Sequence, residues 1–227
     1  MSYKNGLFEF IKKSPTAYHT VDTVKRALVD AGYTELSERE CEDYSDGGKH
    51  FVIRDGSSII AWRGKAEGGF MICATHGDSP SFRVKRTPEL RGECVRLSTE
   101  KYGGMIHYSW LDRPLSVAGR AELITDTGVE SRLVNFERDL ACIPSVAIHL
   151  NRSVNDGYKF NPASDLLPLY GLPGAESLNA LIAKELCVPE DKIISHDLFL
   201  YNREEGRELG SCGEFILSAY KMEVGHP

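Results

Sequence analysis

Phe70-Met-Ile-Cys-Ala-Thr-His-Gly-Asp-Ser-Pro80 is the stretch that decides the fold. Its first half is an unbroken apolar run preceded by Gly68-Gly69, and a run of this length between turn signals predicts a buried central strand. Its second half is polar and ends at Pro80. In open α/β sheets, ligands bind outside the carboxyl ends of the strands. The stretch therefore predicts an α/β fold with a functional site at the end of this strand.

His76 and Asp78 are the candidate metal-site residues at this strand end. An imidazole nitrogen can bind a metal ion, and a nearby carboxylate can orient the ring or a metal-bound water. A bare His-x-Asp tripeptide is also common in ordinary strand-end turns, with an exposed His and a capping Asp. The pair by itself leaves both interpretations open.

The composition is that of an ordinary soluble protein, with 227 residues, 41% of them hydrophobic and 26% charged. The net charge of -6 disfavours nucleic acid or an anionic membrane as a partner. The sequence shows neither a membrane span nor the apolar core of a secretory signal. Its six cysteines form no Cys-x-x-Cys pair, which gives no support to a zinc ribbon or a thioredoxin-like site. We expect a cytoplasmic chain with reduced thiols, including Cys73 buried in the apolar run.

A helix and a hairpin are predicted before the organising stretch. Ser14-Pro15-Thr16 indicates a helix start and Gly32 its end, with apolar residues at spacings of three and four between them. His19 lies off this apolar face and is predicted to be solvated. Asp55-Gly56 between two strand-like segments predicts a β-hairpin.

The pattern after Lys85 changes to short alternating segments separated by turns, which predicts a small antiparallel sheet or barrel. A domain boundary is expected near residues 86–88. Residues 151–174, rich in Asn, Asp, Gly and Pro, predict a long loop. A helix is predicted from Ser177, and residues 191–201 have strand character and are expected to lead back towards the first domain.

Three long strings resemble the signatures of the M18 family of metallo-aminopeptidases, the aspartyl aminopeptidases. They occur in the family's order, and the resemblance runs from about Ser14 to about Phe215. The strings are Ala74-Thr-His-Gly-Asp-Ser-Pro-Ser-Phe-Arg-Val-Lys85, Tyr102-Gly-Gly-Met-Ile-His-Tyr-Ser-Trp-Leu-Asp-Arg-Pro-Leu-Ser-Val-Ala-Gly-Arg120 and Ile143-Pro-Ser-Val-Ala-Ile-His-Leu-Asn-Arg152.

The resemblance implies an α/β fold, in which a partial mixed-sheet zinc-peptidase catalytic domain carries an inserted, mostly antiparallel β dimerisation domain. Residues 1–86 would be the N-terminal part of the catalytic domain, 87–200 the inserted dimerisation domain and 201–227 a truncated return to the catalytic domain. Chains of the family are considerably longer, and their second half carries the general base and further metal ligands. We therefore expect this chain to correspond to the N-terminal half of an M18 enzyme.

The resemblance also assigns roles to three residues. It implies that His76 is a zinc ligand and that Asp78 is a catalytic residue supporting it. His149 matches a position that reaches the active site of a neighbouring subunit, as a catalytic group contacting the substrate or as a metal ligand. Because His149 lies in a strand-like apolar run, a structural role is the alternative.

Two further groups of charged residues have open interpretations. Asp112 and Arg113 are predicted to form an ion pair that stabilises a hairpin next to Trp110. Arg83 and Lys85 could attract acidic side chains of a substrate by their charge, or they could be solvated residues of a strand edge.

The leading functional hypothesis is a zinc-dependent aminopeptidase that removes N-terminal, acidic residues from peptides, with this chain an incomplete part that is inactive alone. A complete active site would hold two Zn²⁺ ions, although His and carboxylate ligands also accept Co²⁺ or Mn²⁺. The expected partners are peptide substrates and further copies of the chain, as dimers or, in complete family members, dodecamers. No nucleic acid or membrane partner is expected. The alternative is a non-catalytic, assembly-competent fragment or pseudo-enzyme.

Overall fold

A computed structural model of the chain describes residues 3–39, 47–65 and 69–218. The chain divides into two compact units, the first ending at Ser79 and the second beginning at Pro80. Cys41, Gly68 and the tail 219–227 lie outside the described residues. Among the helices that are described, none has the length and apolar character needed to cross a membrane.

The first unit contains two helices and a three-stranded sheet within its described residues. Its elements are α1 (Tyr3–Lys12), α2 (Ala17–Asp30), β1 (Thr34–Glu35), β2 (Lys49–Arg54) and β3 (Ser58–Arg63). Strand β1 runs parallel to β2, and β2 runs antiparallel to β3. Val21 of α2 and Phe51 and Val52 of β2 are buried, so the unit has an apolar core of its own.

The predicted helix and hairpin of the first unit are confirmed. Gly32 follows α2 with a φ of 79°, the left-handed conformation that commonly ends a helix. Asp55 and Gly56 connect β2 to β3 with φ values of 50° and 66°. Positive φ at both central residues is the requirement of the tight turn that matches strand twist, which explains why Asp-Gly is found there.

His19 is half-buried on α2, where a solvated position was predicted. Its Nδ1 lies 2.8 Å from Oγ1 of Thr16, the residue that precedes the helix. Burial lowers the pKa of His19 to about 4, against a smaller opposite effect of the Asp22 carboxylate. The sequence prediction missed this because the spacing of aliphatic residues carries no information on the burial of a polar ring outside their pattern.

The prediction of a buried central strand at residues 70–74 is wrong. The chain is irregular there, and Phe70, Met71 and Ile72 expose 79%, 104% and 86% of their surfaces. Cys73, also predicted to be buried, is exposed. A segment becomes a central strand only when other strands pair with both of its edges. The sheet described for the first unit, β1-β2-β3, does not include these residues.

The second unit is built around a six-stranded sheet. Its strands follow the order β7-β6-β9-β4-β5-β8, and each neighbouring pair is antiparallel. Strands β10 and β11 form a separate two-stranded antiparallel sheet. The elements are β4 (Ser81–Arg91), β5 (Val95–Tyr102), β6 (Leu115–Thr125), β7 (Gly128–Asn135), β8 (Leu169–Gly171), α3 (Leu178–Leu186), β9 (Ile193–Asn202), β10 (Arg207–Leu209) and β11 (Phe215–Leu217).

The core of this unit lies between the sheet and α3. Its fully buried members include Phe82, Leu115, Val117, Leu178, Ile182 and Leu198. Ser177 is the N-cap residue before α3, and its Oγ accepts a hydrogen bond from the Ala180 N–H at 3.0 Å. The predicted antiparallel region, the helix after Ser177 and the α/β class of the fold are confirmed. The loop predicted over residues 151–174 is irregular up to residue 168, but its last part contains β8.

The expected domain boundary at residues 86–88 falls inside β4. Proline usually interrupts a sheet because it lacks an N–H donor, but β4 accommodates Pro88 at a register shift between Val84 and Glu89. Strand β9, expected to lead back towards the first domain, is an inner strand between β6 and β4. The assignment of 1–86, 87–200 and 201–227 to catalytic and dimerisation domains stays a prediction.

Candidate metal centre

The candidate metal centre is the His76–Asp78 pair in the irregular segment that ends the first unit. Nδ1 of His76 lies 3.0 Å from Oδ1 of Asp78. His76 is exposed and Asp78 is half-buried. Gly77 lies next to α2, because a Cβ added there would stand 3.7 Å from Cγ2 of Thr20. The pair is therefore carried on a segment whose middle residue contacts the start of a helix.

The hydrogen bond gives His76 the orientation expected of a metal ligand. When Nδ1 carries the proton and donates it to Asp78, the neutral ring has its lone pair on Nε2. A nearby carboxylate fixes that tautomer and makes the imidazole a better ligand. A histidine that donates its second ring nitrogen to a carboxylate is the usual arrangement at zinc sites.

The pair supplies only a part of a metal site. Zinc is held by three or four protein ligands drawn from His, Cys, Asp and Glu. Within residues 3–39, 47–65 and 69–218, no three such side chains cluster in a way that could hold an ion. The imidazole and carboxylate thus fit zinc in donor type but do not complete a site among these residues.

His149 lies in the second unit, in an exposed turn and not in the strand that the sequence predicted. The turn is closed by a hydrogen bond from the Leu150 N–H to the Ala147 carbonyl at 2.8 Å. Val146, Ile148 and Leu150 are exposed as well. The apolar residues that indicated a strand therefore lie in a surface turn, where His149 is exposed together with aliphatic side chains.

Asp112 holds the beginning of the His149 segment. Its N–H donates to the Ile143 carbonyl at 2.9 Å, and its Oδ1 accepts from the Ser145 N–H at 2.8 Å. The hydrogen bond from Ser145 lowers the pKa of Asp112. The predicted ion pair with Arg113 is wrong, because Arg113 forms its salt bridge with Glu204.

The role of Asp112 was missed by sequence reasoning. Asp112 has a φ of 57°, and aspartate is one of the few residue types enriched at positive φ. The residue type was the available signal, since an Asp in a short linker commonly accepts backbone N–H groups. A partner 33 positions away, Ser145, could not be inferred from local pattern.

Arg83 is engaged in ion pairs within the sheet. It pairs with Asp197 on β9 and lies 3.7 Å from Glu100 on β5. Arg120 approaches the same Asp197 at 3.4 Å. These contacts favour the structural interpretation of Arg83 over a substrate-attracting one.

The structure brings His76 and Asp78 together and places His149 in the other unit. The roles of all three residues as catalytic or metal-binding groups stay predictions. The local geometry of His76 and Asp78 fits a ligand and its orienting carboxylate. The geometry of His149 fits a group presented to the outside of its own unit.

Comparison with known proteins matches nearly the whole chain to one family. Residues 10–223 match the family described as aminopeptidase I zinc metalloprotease (M18). The probable M18 family aminopeptidase 2 of Clostridium novyi (strain NT) is 42% identical over 231 residues, covering 96% of this chain and 53% of the relative. The chain thus spans about half the length of the curated relatives it matches.

Solved structures show the same relation. A cryo-EM structure of the Ape4 and Nbr1 complex matches with a TM-score of 0.85 and 33% identity, over 94% of this chain and 46% of that one. The S. cerevisiae mApe1 dodecamer matches with a TM-score of 0.76 and 23% identity, over 94% of this chain and 51% of that one. At the lower identity the likeness concerns the fold alone.

Proposed function

The chain belongs to the M18 family of zinc metalloproteases, and from this premise we propose that it forms part of a zinc-dependent aminopeptidase. The observation that carries the proposal is the His76–Asp78 hydrogen bond of 3.0 Å, which lies in the string that resembles the family signature. A bare His-x-Asp turn has an equally simple structural explanation. The family match over residues 10–223 supports the metal-site interpretation, because zinc metalloproteases need histidine and carboxylate groups at their active sites.

His76 binds zinc through Nε2 in this proposal, and Asp78 keeps the proton on Nδ1. Zinc in such a site polarises the scissile carbonyl and supplies a hydroxide at neutral pH. The remaining ligands and the general base would come from the half of the family's length that this chain does not span. Two Zn²⁺ ions per complete site are proposed, and Co²⁺ or Mn²⁺ would also accept these donors.

His149 is proposed to act on the active site of a neighbouring copy. Its exposed turn, fixed at one end by Asp112, supports a group that reaches out of its own unit. Two roles are open, a contact to the substrate and a ligand to the metal. Both require at least two copies of the chain, so self-association is part of the proposal.

The proposed substrates are peptides with an acidic N-terminal residue, which follows from the resemblance to aspartyl aminopeptidases. Arg83 lends this preference little support because Asp197 and Glu100 already balance its charge. The cytoplasmic location expected from the sequence is retained as part of the proposal. The net charge of -6 argues against nucleic acid as a partner.

A chimera tests the proposal. This chain is joined to the part of the C. novyi relative that it does not span, and zinc content and release of N-terminal residues are measured. We expect zinc uptake and faster release of aspartate and glutamate than of alanine and leucine. His76→Ala should remove zinc and activity together. His107→Ala is the control, since His107 lies in the second unit with its ring 6.1 Å from that of Phe160, and it should keep both.

The same chimera separates the two roles of His149. If His149 contacts the substrate, His149→Ala keeps its zinc while turnover falls by roughly 10²-fold, the scale of losing one transition-state donor. If His149 is a ligand, zinc is lost as well. A His76→Ala chimera with full zinc and full activity would refute the proposed metal centre. A chimera that assembles without binding zinc would favour the non-catalytic alternative.

A further inference from the structure

Strand β7 is a long, exposed edge of the six-stranded sheet. It has eight residues, whereas β8 at the opposite edge has three. Among the described strands, β7 pairs with β6 and with no other. An edge of this length can pair with another chain unless its side chains prevent it. The question is therefore which partner the side chains of β7 would accept.

The hairpin geometry fixes which backbone groups of β7 face outwards. A two-residue turn joins Thr125 to Gly128, so these two residues form a hydrogen-bonded pair. In an antiparallel ladder such pairs alternate with pairs that exchange no hydrogen bonds. The N–H and C=O groups that face the open edge of the sheet consequently belong to Val129, Ser131 and Leu133.

The sequence of β7 is complementary to itself about Ser131. If a second copy lies antiparallel with the two-fold axis at Ser131, Glu130 stands opposite Arg132 of that copy, and Val129 opposite its Leu133. Oppositely charged pairs and apolar pairs both stabilise neighbouring strands. Val129 and Leu133 are 64% and 39% exposed, so the pairing would cover apolar surface that water now contacts.

Other registers are less favourable. A shift of the axis to Arg132 or to Glu130 sets two like charges directly opposite each other, which is destabilising. A register offset by one residue would place outward-facing backbone groups against inward-facing ones. Charged residues on an edge strand normally repel a neighbouring strand. On β7 the charged residues disfavour the other alignments and favour the one with the two-fold axis at Ser131.

We propose that β7 pairs antiparallel with β7 of a second copy, with the two-fold axis at Ser131, so that the two sheets become continuous. This inference concerns self-association only, and it does not depend on zinc binding or peptidase activity. It names the surface for the self-association that the proposed role of His149 requires. Within each chain Arg132 already pairs with Glu130, with 2.9 Å between Arg132 Nε and Glu130 Oε1. In the dimer these two pairs would lie side by side on one face as a cluster of four alternating charges, and Val129 and Leu133 would meet on the other face.

A proline at the axis tests the backbone part of the proposal. Ser131→Pro removes an outward-facing N–H donor but leaves the hydrogen bonds between β6 and β7, which belong to the alternate residues. Proline is tolerated at this kind of edge position. Ser131→Ala is the matched control, since it also loses the Ser131 Oγ bond to Glu122 but keeps the N–H. Sedimentation velocity of the 227-residue chain at rising concentration is the measurement.

We expect the unchanged chain and Ser131→Ala to form dimers, and Ser131→Pro to dimerise at least about tenfold more weakly. Circular dichroism and the midpoint of thermal unfolding show whether Ser131→Pro remains folded. If Ser131→Pro unfolds, the charge variants described next provide the test of the β7 pairing.

Charge exchange tests the register. Glu130→Arg and Arg132→Glu each place like charges across the axis, so each variant alone should dimerise at least about tenfold more weakly. A mixture of the two single variants should form a heterodimer, because every Arg then faces a Glu. The double variant carrying both exchanges should dimerise like the unchanged chain.

Three results would each overturn the β7 pairing. The unchanged chain could stay monomeric, folded Ser131→Pro could dimerise as tightly as Ser131→Ala, or the two single charge variants could fail to form a heterodimer when mixed. A dimer that is indifferent to all these changes would show that copies associate through another face. In that case the β7 inference fails while the proposed self-association survives.

Discussion

His19 combines a half-buried ring with a hydrogen bond to Thr16, and its pKa of about 4 lies below the value of 6.5 for an exposed histidine. Between pH 6.5 and pH 4 the unfolded chain binds a proton that the folded chain does not. The stability contributed by the neutral ring is therefore complete above pH 6.5 and is lost as the pH falls through this window.

We predict that the first unit loses up to about 3 kcal/mol of its free energy of unfolding between pH 7.5 and pH 4, since each pKa unit is worth about 1.36 kcal/mol. His19→Gln should remove this part of the pH dependence. Urea unfolding followed by the fluorescence of Trp62, in a Trp110→Phe background, reports on the first unit. Identical pH dependence with and without His19 would contradict the prediction.

The carboxylate of Asp112 accepts a hydrogen bond that fixes the beginning of the His149 segment. We predict that Asp112→Ala exposes the Ser145 amide and increases the hydrogen exchange of residues 144–150, because the acceptor of the 2.8 Å hydrogen bond is lost. Asp112→Asn keeps an acceptor oxygen and is the matched control. Exchange that is unchanged in Asp112→Ala would mean that other contacts fix the His149 turn.

The pH dependence of this anchor has a definite sign. Hydrogen bonding from Ser145 lowers the pKa of Asp112 below 3.8, so its contribution is complete above that pH and disappears as the pH falls further. Protection of the Ser145 amide should therefore be constant from neutral pH down to about 4 and decline below it.

Elements differ in how far the sequence determines them. Helix α2 and the β2–β3 hairpin depend on periodicity, a C-terminal glycine and an Asp-Gly turn, which are local features that the sequence displays. The run at residues 70–74 has the composition of a central strand, but a central strand exists only through its neighbours. The described residues of the first unit provide none, so the run is exposed.

The pairing of β6 with β9 contains a position where backbone approaches backbone. A Cβ on Gly119 would stand 1.9 Å from the Asp197 carbonyl oxygen. We predict that Gly119→Ala lowers the free energy of unfolding of the second unit by at least about 3 kcal/mol, because an inner strand cannot move aside at low cost.

Gly104→Ala is the control for Gly119→Ala, since a Cβ at Gly104 meets no atom within 4 Å. It should change stability by no more than about 0.5 kcal/mol. Denaturant unfolding of both variants, followed by circular dichroism, gives the comparison. Equal stabilities would show that β6 and β9 separate easily at this point.

At the scale of the whole molecule, the site residues are divided between two units, with His76 and Asp78 in the first and His149 in the second. Local geometry gives no link between them, and their common role in one reaction is a proposal that comes from the family resemblance. Three strings spread over the chain carried the assignment to a family, and the family match confirmed it. What the strings could not provide was the conformation of each site residue, which depends on distant partners such as Ser145 for the His149 segment.

We predict that the 227-residue chain alone binds zinc weakly and releases no detectable N-terminal residue from acidic peptides. The reason is that its described residues assemble no cluster of three ligands, and zinc requires three or four. Zinc titration by calorimetry and a peptidase assay with added Zn²⁺, Co²⁺ or Mn²⁺ are the measurements. Metal-dependent release of aspartate by this chain would disprove the prediction.

The position of β9 has a consequence for how the chain is made. It lies between β6 and β4 but comes last in sequence among the six strands, and its pairs include Arg83 with Phe199. On the ribosome, the β4–β5 and β6–β7 hairpins emerge first, each with an edge that only β9 will cover. Contacts of such long sequence separation form slowly. Until Asn202 has left the exit tunnel, the nascent chain exposes two unpaired strand edges. During this interval we expect the chain to be most prone to aggregation and most dependent on chaperone binding.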